Sequence, residues 1–421
     1  MNLWRKDRPI IESLMEIDVY KLLMLNFIDR YYLNLETRFD FRNRTKGVRL
    51  GAYIDFSELE RELQHVATLR FTKEDVSYLR AWGIFPEHFL RSLPTRRLSP
   101  ISLKQTDVIG TGFNICAFGT WSEATLWETF VLAIVNELYT RGFARAHNLS
   151  EHDLAREGTK RLAAKLNTVC AHPGLKFAQF GLRRRFSGLW EDHVTKVLAE
   201  EGPGPHRDYR GYVAGVSNVH LARTYDFEAV GTNAHELPMA LYALARHESD
   251  EVARQSPYEV LRKWQMLYGQ RLLIMLPDTF GTDAFDAELS RQYLIDWRGF
   301  RQDSGDPFAF ANKKIALYHR HHIDPRGKLI VFSDGLGAQK IVNLHTMFHH
   351  QIGVTFGWGT DLTNDLGIPP LSLVMKMQEA AGRPTVKLSD NLAKATGDSS
   401  EVEVAKRIFG YTNEFTEQPK Y

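Results

Sequence analysis

The segment Leu329-Ile330-Val331-Phe332-Ser333-Asp334-Gly335-Leu336-Gly337 carries the clearest signature of a fold in this chain. Its first four residues are all apolar, as expected of a strand that is covered on both faces. Small and polar residues follow them, and residues 338–348 have a helical pattern. A strand, a tight turn and a helix in this order are typical of the βαβ units of a parallel sheet, so the segment predicts an α/β protein.

The same alternation of short strands and longer helices continues through the chain from about residue 160. Each β-rich run ends in Gly, Asp, Ser or Thr, and a helical pattern follows it. Five or more such units indicate an irregular α/β barrel of parallel strands, with the polar strand-end residues gathered on one rim. The other runs are residues 176–181, 212–217, 271–278 and 354–360.

The two ends of the chain differ in character from its middle. Residues before about 135 mix strand-like runs with charged helical stretches, and residues after about 367 return to strand-like pieces. We therefore predict a barrel domain of residues 136–365 and a smaller α+β domain formed by residues 1–135 with residues 366–421. The segment Gly202-Pro203-Gly204-Pro205 is interpreted as a loop inserted between two units, not as a domain boundary.

Composition and charge exclude several classes of protein. The 421 residues are 43% hydrophobic and 25% charged, which excludes disordered and fibrous classes. Lys and Arg number 53 against 51 Asp and Glu, and this net charge of +2 argues against a dedicated binder of nucleic acid or of anionic membranes. The chain has two cysteines, Cys116 and Cys170, a charged N-terminal stretch and no apolar run of about 20 residues, so we expect a cytoplasmic protein.

Two turns have the composition of a phosphate site. Ser333, Asp334 and Gly335 lie between an apolar strand and a helix, and Gly359 and Thr360 end a second glycine-rich run. Free backbone amides and the helix dipole attract anions at such a junction. Either turn alone is better explained by an ordinary strand–helix connection, but the two together on one rim favour phosphate binding.

Arg301 and Asp303 have the same parity on an extended segment, so both side chains can face one pocket. An arginine can bind phosphate through two parallel hydrogen bonds, and a carboxylate can bind ribose hydroxyls or a metal ion. The residues that follow also fit a plain turn with a helix that starts at Pro307. From the spacing alone the two interpretations are equally good.

A basic run at residues 183–185 follows Phe180 at the end of a predicted strand. Such runs are usually solvated, but an arginine beside an aromatic ring can also bind a planar anionic ring. His235 follows another extended run, and a single histidine is more often structural than catalytic. His235-Glu236 does not continue into the HExxH pattern of a zinc protease.

Two other patterns carry no prediction of a site. Gly110-Thr111-Gly112 lacks the third glycine and the strand–helix context of a dinucleotide-binding fingerprint. Five histidines without regular ligand spacing are interpreted as surface residues: His319, His321, His322, His349 and His350.

Eight segments, taken in order, resemble the bacterial nicotinate phosphoribosyltransferases, a type II phosphoribosyltransferase family of NAD synthesis. No single segment decides the resemblance, but eight matches in the right order along nearly the whole chain are hard to explain by chance. The segments are Asp18-Val19-Tyr20-Lys21, Phe180-Gly181-Leu182-Arg183-Arg184-Arg185-Phe186-Ser187, Gly215-Val216-Ser217-Asn218, Gly231-Thr232-Asn233-Ala234-His235-Glu236, Arg301-Gln302-Asp303-Ser304-Gly305-Asp306-Pro307, Phe332-Ser333-Asp334, Phe356-Gly357-Trp358-Gly359-Thr360 and Lys387-Leu388-Ser389-Asp390.

The resemblance implies an enzyme that joins nicotinate to phosphoribosyl pyrophosphate, giving nicotinate mononucleotide and pyrophosphate. It also implies coupling to ATP hydrolysis through a phosphohistidine, with ATP and phosphoribosyl pyrophosphate bound as Mg²⁺ complexes. By position, His235 matches the phosphohistidine. The remaining matches are Arg183 and Phe180 with the pyridine ring, Asp18 and Tyr20 with a contribution from the neighbouring subunit of a homodimer, Arg301 and Asp303 with the phosphoribosyl group, and Ser333, Asp334, Gly335, Gly359 and Thr360 with the phosphate-end turns.

Ser217 bears on whether the substrate is nicotinate or nicotinamide. The similar nicotinamide enzymes have an aspartate at this position, and its carboxylate would repel nicotinate, whereas a serine can donate a hydrogen bond to it. We therefore expect nicotinate to be preferred over nicotinamide. The chain departs from the family pattern at Glu16 and Ile17, where an Asp and a Thr are common, and at Gln302, which replaces a frequent His.

Other functions stay open at this point. A nicotinamide or a quinolinate phosphoribosyltransferase would use related chemistry, although the quinolinate enzymes are typically shorter and lack the segment around His235. A non-catalytic sugar-phosphate binder would have no need of Asp303, Arg183 and His235 together. An RNA binder that uses residues 183–185 is disfavoured by the low net charge.

Overall fold

The computed structural model of the chain describes residues 1–106, 112–200 and 208–417. The Gly202-Pro203-Gly204-Pro205 loop, and Gly110 and Thr111, lie outside the described residues. No helix within the described ranges combines the length and apolar character needed to span a membrane.

The described residues form the following elements. The strands are β1 (Glu36–Asn43), β2 (Ile101–Gln105), β3 (Phe113–Thr120), β4 (Phe177–Gln179), β5 (Val213–Val216), β6 (Ile274–Met275), β7 (Gly299–Gln302), β8 (Leu329–Phe332), β9 (Gly353–Trp358), β10 (Leu373–Ala380) and β11 (Arg383–Pro384). The helices are α1 (Val19–Tyr31), α2 (Phe56–Thr68), α3 (Lys73–Ala81), α4 (Glu87–Ser92), α5 (Trp121–Ala124), α6 (Trp127–Ala146), α7 (Glu151–Cys170), α8 (Gly188–Ala199), α9 (Val219–Thr224), α10 (Glu236–Ala245), α11 (Asp250–Arg254), α12 (Ser256–Tyr268), α13 (Thr282–Glu288), α14 (Arg291–Asp296), α15 (Pro307–Arg320), α16 (Ala338–Phe348), α17 (Thr360–Thr363) and α18 (Ser399–Phe409).

Six strands form a parallel sheet in the order β5-β4-β9-β8-β7-β6. Strand β8 is followed by α16, so the strand, turn and helix predicted from residues 329–348 are confirmed. The α/β class is confirmed with them. Closure into a barrel is not confirmed, because no ladder joins the end strands β5 and β6 within the described part of the chain.

Strand β8 differs from its prediction in one respect. Ile330 and Phe332 are buried, whereas Leu329 and Val331 are partly exposed. The apolar run predicted a strand covered on both faces, but Leu329 and Val331 border a cavity. One face of the parallel sheet is therefore open to a possible ligand and is not filled by a packed core.

The two ends of the chain meet in an antiparallel sheet of order β11-β10-β1-β3-β2. Phe41 of β1 lies opposite Met375 of β10. Helix α6 is buried along most of its length and contacts both β10 and the turn after β4, so it joins the two sheets through one core. The predicted domain boundary after residue 135 falls inside α6, and the domain limits stay a prediction.

Candidate active site

The residues predicted to bind substrate gather at the carboxyl ends of the parallel strands. Phe180 follows β4, Asp303 follows β7, Ser333 follows β8 and Gly359 follows β9. Such a strand edge is a common position for a ligand, and here it opens into a cavity of about 1510 Å³. The predicted site residues that border this cavity are Tyr20, Phe180, Arg183, His235, Arg301, Asp303, Ser333, Asp334, Gly335, Gly359 and Thr360.

His235 lies buried just before helix α10 with both ring nitrogens engaged. Its Nδ1 is 2.9 Å from Thr279 Oγ1, and its Nε2 is 3.0 Å from Asp303 Oδ2 and 3.6 Å from Asp278 Oδ1. Burial lowers the pKa of His235 to about 4, so the imidazole is neutral near pH 7. With Nε2–H assigned as the donor to Asp303, Nδ1 is the nitrogen that keeps a lone pair.

Asp278 belongs to this centre, although no sequence motif singled it out. Its Oδ2 accepts a hydrogen bond from Ser304 Oγ at 2.5 Å, while its Oδ1 is buried with no hydrogen-bond partner among the described residues. His235, Asp278 and Asp303 offer ligand atoms within 4.8 Å of one another, so they could hold a divalent cation. The available signal was its position as the last, polar residue of the strand-like run 271–278.

Asp303 is kept ionised by its surroundings. Burial alone would raise its pKa, but Arg301 and the hydrogen bond from His235 outweigh burial and hold the pKa well below its usual range. Ser333 Oγ donates to Asp303 Oδ1 at 3.0 Å, which joins the ends of β7 and β8. The carboxylate is therefore a fixed negative charge at the rim of the cavity.

Arg301 holds the loop that precedes His235. Its Nη1 donates to Thr232 Oγ1 at 2.6 Å and to the carbonyl oxygen of Asn233 at 2.8 Å. Its Nη2 lies 3.8 Å from Asp303 Oδ1. Arg301 was predicted to bind phosphate, but its Nη1 group thus positions neighbouring residues.

The two turns predicted to bind phosphate face the cavity. The structure explains why each of them contains a glycine. Gly335 has a φ of +53°, in the left-handed region that favours glycine. A Cβ at Gly359 would lie 3.2 Å from the carbonyl oxygen of Phe180, so this turn depends on a close backbone approach. Both glycines border the cavity.

Asp334 is paired with a lysine that the sequence did not indicate. Lys394 Nζ donates to Asp334 Oδ1 at 2.5 Å and to the carbonyl oxygen of Asp303 at 2.9 Å. Burial raises the pKa of Asp334 even so. A carboxylate repels phosphate, so this turn offers a hydrogen-bond acceptor, Asp334, beside a cation, Lys394.

Two aromatic rings and an arginine form what we call the ring slot, at the end of β4. The rings of Tyr20 and Phe180 are nearly parallel, with centroids 6.5 Å apart and 13° between their planes. The guanidinium carbon of Arg183 lies 5.3 Å from the centroid of the Tyr20 ring. Parallel ring faces beside a cation fit a planar aromatic anion.

Asp18 and Ser217 lie behind the ring slot and do not border the cavity. Ser217 Oγ donates to Asp18 Oδ1, and Asp18 Oδ2 is 3.1 Å from Arg183 Nε. Ser217 was expected to donate to the ligand, but its hydroxyl hydrogen is used by Asp18. The two residues therefore orient Arg183. The prediction that Ser217 contacts the ring directly is wrong in this structure.

The origin of Asp18 and Tyr20 is a second correction. The resemblance implied that a neighbouring subunit supplies them, whereas the structure places them beside Arg183 of the same chain. The backbone N–H of Val19 donates to the carbonyl oxygen of Ser217 at 2.9 Å, which anchors the start of α1 at this position. One chain therefore completes the ring slot.

Glu128 of helix α6 is a buried acid at the base of the ring slot. It accepts a hydrogen bond from the Tyr20 hydroxyl at 3.2 Å and lies 2.9 Å from Lys21 Nζ and 3.0 Å from Lys376 Nζ. Burial alone would raise its pKa, but the two lysines hold the pKa well below its usual range. Lys21 Nζ also donates to Glu236 at 2.8 Å, which ties the slot to the start of α10.

The cavity is more basic than the protein as a whole. Ten Lys and Arg residues border it against six Asp and Glu, although the chain carries a net charge of only +2. Such a lining attracts anionic ligands. The basic residues are Arg44, Lys176, Arg183, Arg184, Arg271, Arg298, Arg301, Lys376, Lys387 and Lys394, and the acidic ones are Glu128, Asp226, Glu228, Asp303, Asp334 and Asp361.

The histidines interpreted as surface residues are confirmed as such. Residues 319, 321, 322, 349 and 350 are exposed or partly exposed, and none of them borders the cavity.

Known proteins resemble the chain over almost its whole length. Residues 175–413 match the model of the nicotinate phosphoribosyltransferase (NAPRTase) family, and residues 15–136 match the model of the NAPRTase N-terminal domain. A crystal structure of nicotinate phosphoribosyltransferase from Vibrio cholerae has a TM-score of 0.85 and 30% identity, over 96% of this chain and 95% of that chain. One from Porphyromonas gingivalis has a TM-score of 0.81 and 27% identity, over 95% of this chain and 100% of that chain.

Proposed function

The chain belongs to the nicotinate phosphoribosyltransferase family, and on that premise we propose that it joins nicotinate to phosphoribosyl pyrophosphate in NAD salvage. The products are nicotinate mononucleotide and pyrophosphate. The observation that carries the proposal is a single basic cavity that combines the ring slot, the ionised carboxylate of Asp303 and two glycine turns. Each of these parts suits one portion of the two substrates.

The protein contributes positioning and charge to this reaction. The pyridine nitrogen attacks C1 of the ribose, the C1–oxygen bond breaks, and its electron pair leaves with pyrophosphate. Positive charge develops on the sugar, and the ionised carboxylate of Asp303 stabilises it. Tyr20 and Phe180 hold the ring while Arg183 binds its carboxylate, so the nitrogen is presented in one direction. No proton transfer is required for this step.

Preference for nicotinate over nicotinamide follows from Arg183. Its guanidinium favours the anionic ring substituent over the neutral amide. Asp18 lies behind Arg183 at 3.1 Å and is itself buried, so it orients the guanidinium without facing the ligand. We propose the charge of Arg183 as the main source of the preference, with Ser217 acting only through Asp18.

We also propose that ATP hydrolysis is coupled through phosphorylation of His235. Its imidazole is neutral near pH 7, and the two carboxylates beside Nε2 leave Nδ1 as the nucleophile. The new bond joins Nδ1 to the γ-phosphorus, and the bond from that phosphorus to the bridging oxygen of ADP breaks. Water later cleaves the phosphorus–nitrogen bond and releases phosphate.

Mg²⁺ is proposed to accompany both phosphate substrates. Asp278 Oδ1 is buried without a partner in the described part of the chain, and Asp303 lies beside it, so oxygen ligands of the kind that Mg²⁺ prefers are present. Bound there, the ion would neutralise charge on the leaving pyrophosphate.

We also propose an assembly and a location for the protein. We retain the homodimer as a proposal, with no active site that needs to be shared, because Asp18 and Tyr20 contact Arg183 of their own chain. We propose a cytoplasmic location, and the low cysteine content of the sequence supports it.

The test is product formation from nicotinate, phosphoribosyl pyrophosphate and Mg²⁺, with and without ATP, by the wild type and by His235→Ala. We expect nicotinate mononucleotide from the wild type, and stimulation by ATP that is lost in the variant. The exposed histidine His152 supplies a control, since His152→Ala should keep the full stimulation.

The other outcomes separate the alternatives. Stimulation that survives in His235→Ala would retain the enzyme and reject the phosphohistidine. A higher kcat/KM with nicotinamide would indicate the related nicotinamide enzyme. Absence of product with nicotinate, nicotinamide or quinolinate would indicate a non-catalytic sugar-phosphate binder.

A further inference from the structure

The cavity continues past the candidate active site to the opposite edge of the parallel sheet. Its lining includes Phe180 and Ser333, which follow the carboxyl ends of β4 and β8, and also Lys176, Leu329 and Arg298, which lie at or before the amino ends of β4, β8 and β7. The volume of about 1510 Å³ exceeds the roughly 300–1,000 Å³ that usually encloses a small ligand. The cavity therefore has room beyond the ring slot and the phosphate turns.

The residues on the inner face of the sheet leave this passage open. Ala178 of β4 lies beside Gly357 of β9, and Val331 of β8 lies beside Thr355, and all four border the cavity. The interior of a closed sheet of parallel strands is usually filled by layers of bulky branched side chains. Here the two ends of the strands are connected through open space.

The far end of the passage has its own lining, which we call the rear chamber: Tyr78, Trp82, Ile84, Arg271 and Arg298. The backbone N–H of Arg298 donates to the carbonyl oxygen of Leu273 at 2.9 Å, which places it near Arg271. The rings of Tyr78 and Trp82 are 5.6 Å apart at an angle of 76°, so they present two differently oriented aromatic surfaces. Arg271 Nη1 donates to the carbonyl oxygen of Gly83 at 3.0 Å, which fixes the arginine next to Trp82.

The backbone at the rear chamber is strained. Leu272, which also borders the cavity, has a φ of +59°, a conformation that a bulky L-residue rarely adopts. Backbone strain of this kind clusters at ligand sites. Trp264 Nε1 donates to the carbonyl oxygen of Leu272 at 3.0 Å and helps to hold this conformation.

The chemistry of the chamber suits a flat ring with one negative charge. Two arginines border it, and the acid near Tyr78, Asp226, has a fully exposed side chain that lies 3.8 Å from Arg210. The chamber has the aromatic faces that a ring needs, together with arginines that pair with a carboxylate. It lacks the glycine turns that mark the phosphate end of the cavity.

We propose that the rear chamber is a second binding site for a planar aromatic monocarboxylate, and that it takes nicotinate. The choice of ligand rests on the proposed function, whereas the existence of the site rests on the cavity. Nicotinate then occupies two positions in one chain, one at each end of the parallel strands.

Equilibrium dialysis of labelled nicotinate against the full chain, without phosphoribosyl pyrophosphate, tests the proposal. We expect two nicotinate molecules per chain in the wild type and one in Trp82→Ala. Arg271→Glu changes an exposed side chain, so it tests the site without emptying a core position, and it should also leave one. Arg183→Ala should lose the ring slot and keep the rear site. The exposed Arg262 supplies the matched control, because Arg262→Ala should still bind two.

The outcomes distinguish failure of the site from failure of the function. One nicotinate per chain in the wild type, unchanged by Arg271→Glu and lost in Arg183→Ala, would overturn the rear site and leave the proposed function intact. No nicotinate bound to the wild type would overturn both. Nicotinamide, which lacks the charge, should bind to the rear site at least about 10-fold more weakly, and equal binding would contradict the role of the arginines.

Discussion

At the scale of single residues, burial decides which charges the site can use. His235, Asp278 and Asp303 are within contact of one another, yet burial keeps the histidine neutral while neighbouring cations and hydrogen bonds keep the acids ionised. Separate protonation states of this kind are what acid–base and nucleophilic roles require. Two predictions follow from individual side chains.

The first concerns the pH dependence of stability. Burial lowers the pKa of His235 to about 4 in the folded chain, from 6.5 for an exposed histidine. As the pH falls, the unfolded chain takes up this proton first, so stability that is complete above about pH 6.5 is lost between about pH 6.5 and 4. Over that range we expect the free energy of unfolding of the wild type to fall by about 2–3 kcal/mol more than that of His235→Gln. Urea unfolding at pH 7 and pH 4.5 measures this, and parallel losses in both proteins would contradict it.

The second concerns Ser217. Its hydroxyl donates to the buried carboxylate of Asp18, so Ser217→Ala removes a donor from a charged group. We expect a loss of about 1–3 kcal/mol in the free energy of unfolding, with the preference for nicotinate over nicotinamide retained. Urea unfolding and the ratio of kcat/KM values measure the two effects. If the preference collapsed while stability stayed unchanged, Ser217 would face the ligand after all.

At the scale of elements, the ring slot depends on close packing between the end of β4 and helix α17. A Cβ at Gly181 would lie 2.0 Å from Thr363 Oγ1, so only glycine fits between these elements. Arg183 follows two residues later, in the 3₁₀ turn Leu182–Arg184. A shift of the turn would move the guanidinium relative to the rings of the slot.

We therefore expect Gly181→Ala to cost about 1–3 kcal/mol in the free energy of unfolding and to raise KM for nicotinate. KM for phosphoribosyl pyrophosphate should change less, because its turns lie at the ends of β8 and β9. Gly327 is the matched control, since a Cβ there meets nothing within 4 Å and its φ is not positive. Thermal unfolding of the two variants measures the loss of stability, and steady-state kinetics measures the two KM values. An effect of equal size in Gly327→Ala would remove the packing explanation.

At the scale of the whole molecule, one chain supplies every residue of the ring slot and of the centre around His235. We therefore expect specific activity to stay constant when the enzyme is diluted from micromolar to nanomolar concentration, whatever its assembly. Sedimentation at the same concentrations reports the dissociation of any dimer. Activity that fell in step with dissociation would show that a neighbouring chain completes the site.

Local patterns were enough to predict the α/β class and the strand and helix of residues 329–348, and together with the family resemblance they named eleven of the residues that border the cavity. Strand ends are visible in a sequence because apolar runs stop there, and the carboxyl ends of parallel strands meet at one edge. Strand-like pieces at both ends of the chain predicted that the two ends pack together, and β1 does pair with β10. The sequence by itself thus determined the class of fold and which side chains meet at the strand ends.

Only the tertiary structure decided how those side chains are used. Strand β6 (Ile274–Met275) pairs with β7. This pairing places Asp278, which follows β6, beside His235. Ser217 donates to Asp18, 199 residues away, and not to a ligand. The open passage through the sheet likewise depends on which faces of the strands turn inward. Partners distant in sequence, burial and open space arise from packing in three dimensions, and no local pattern of residues records them.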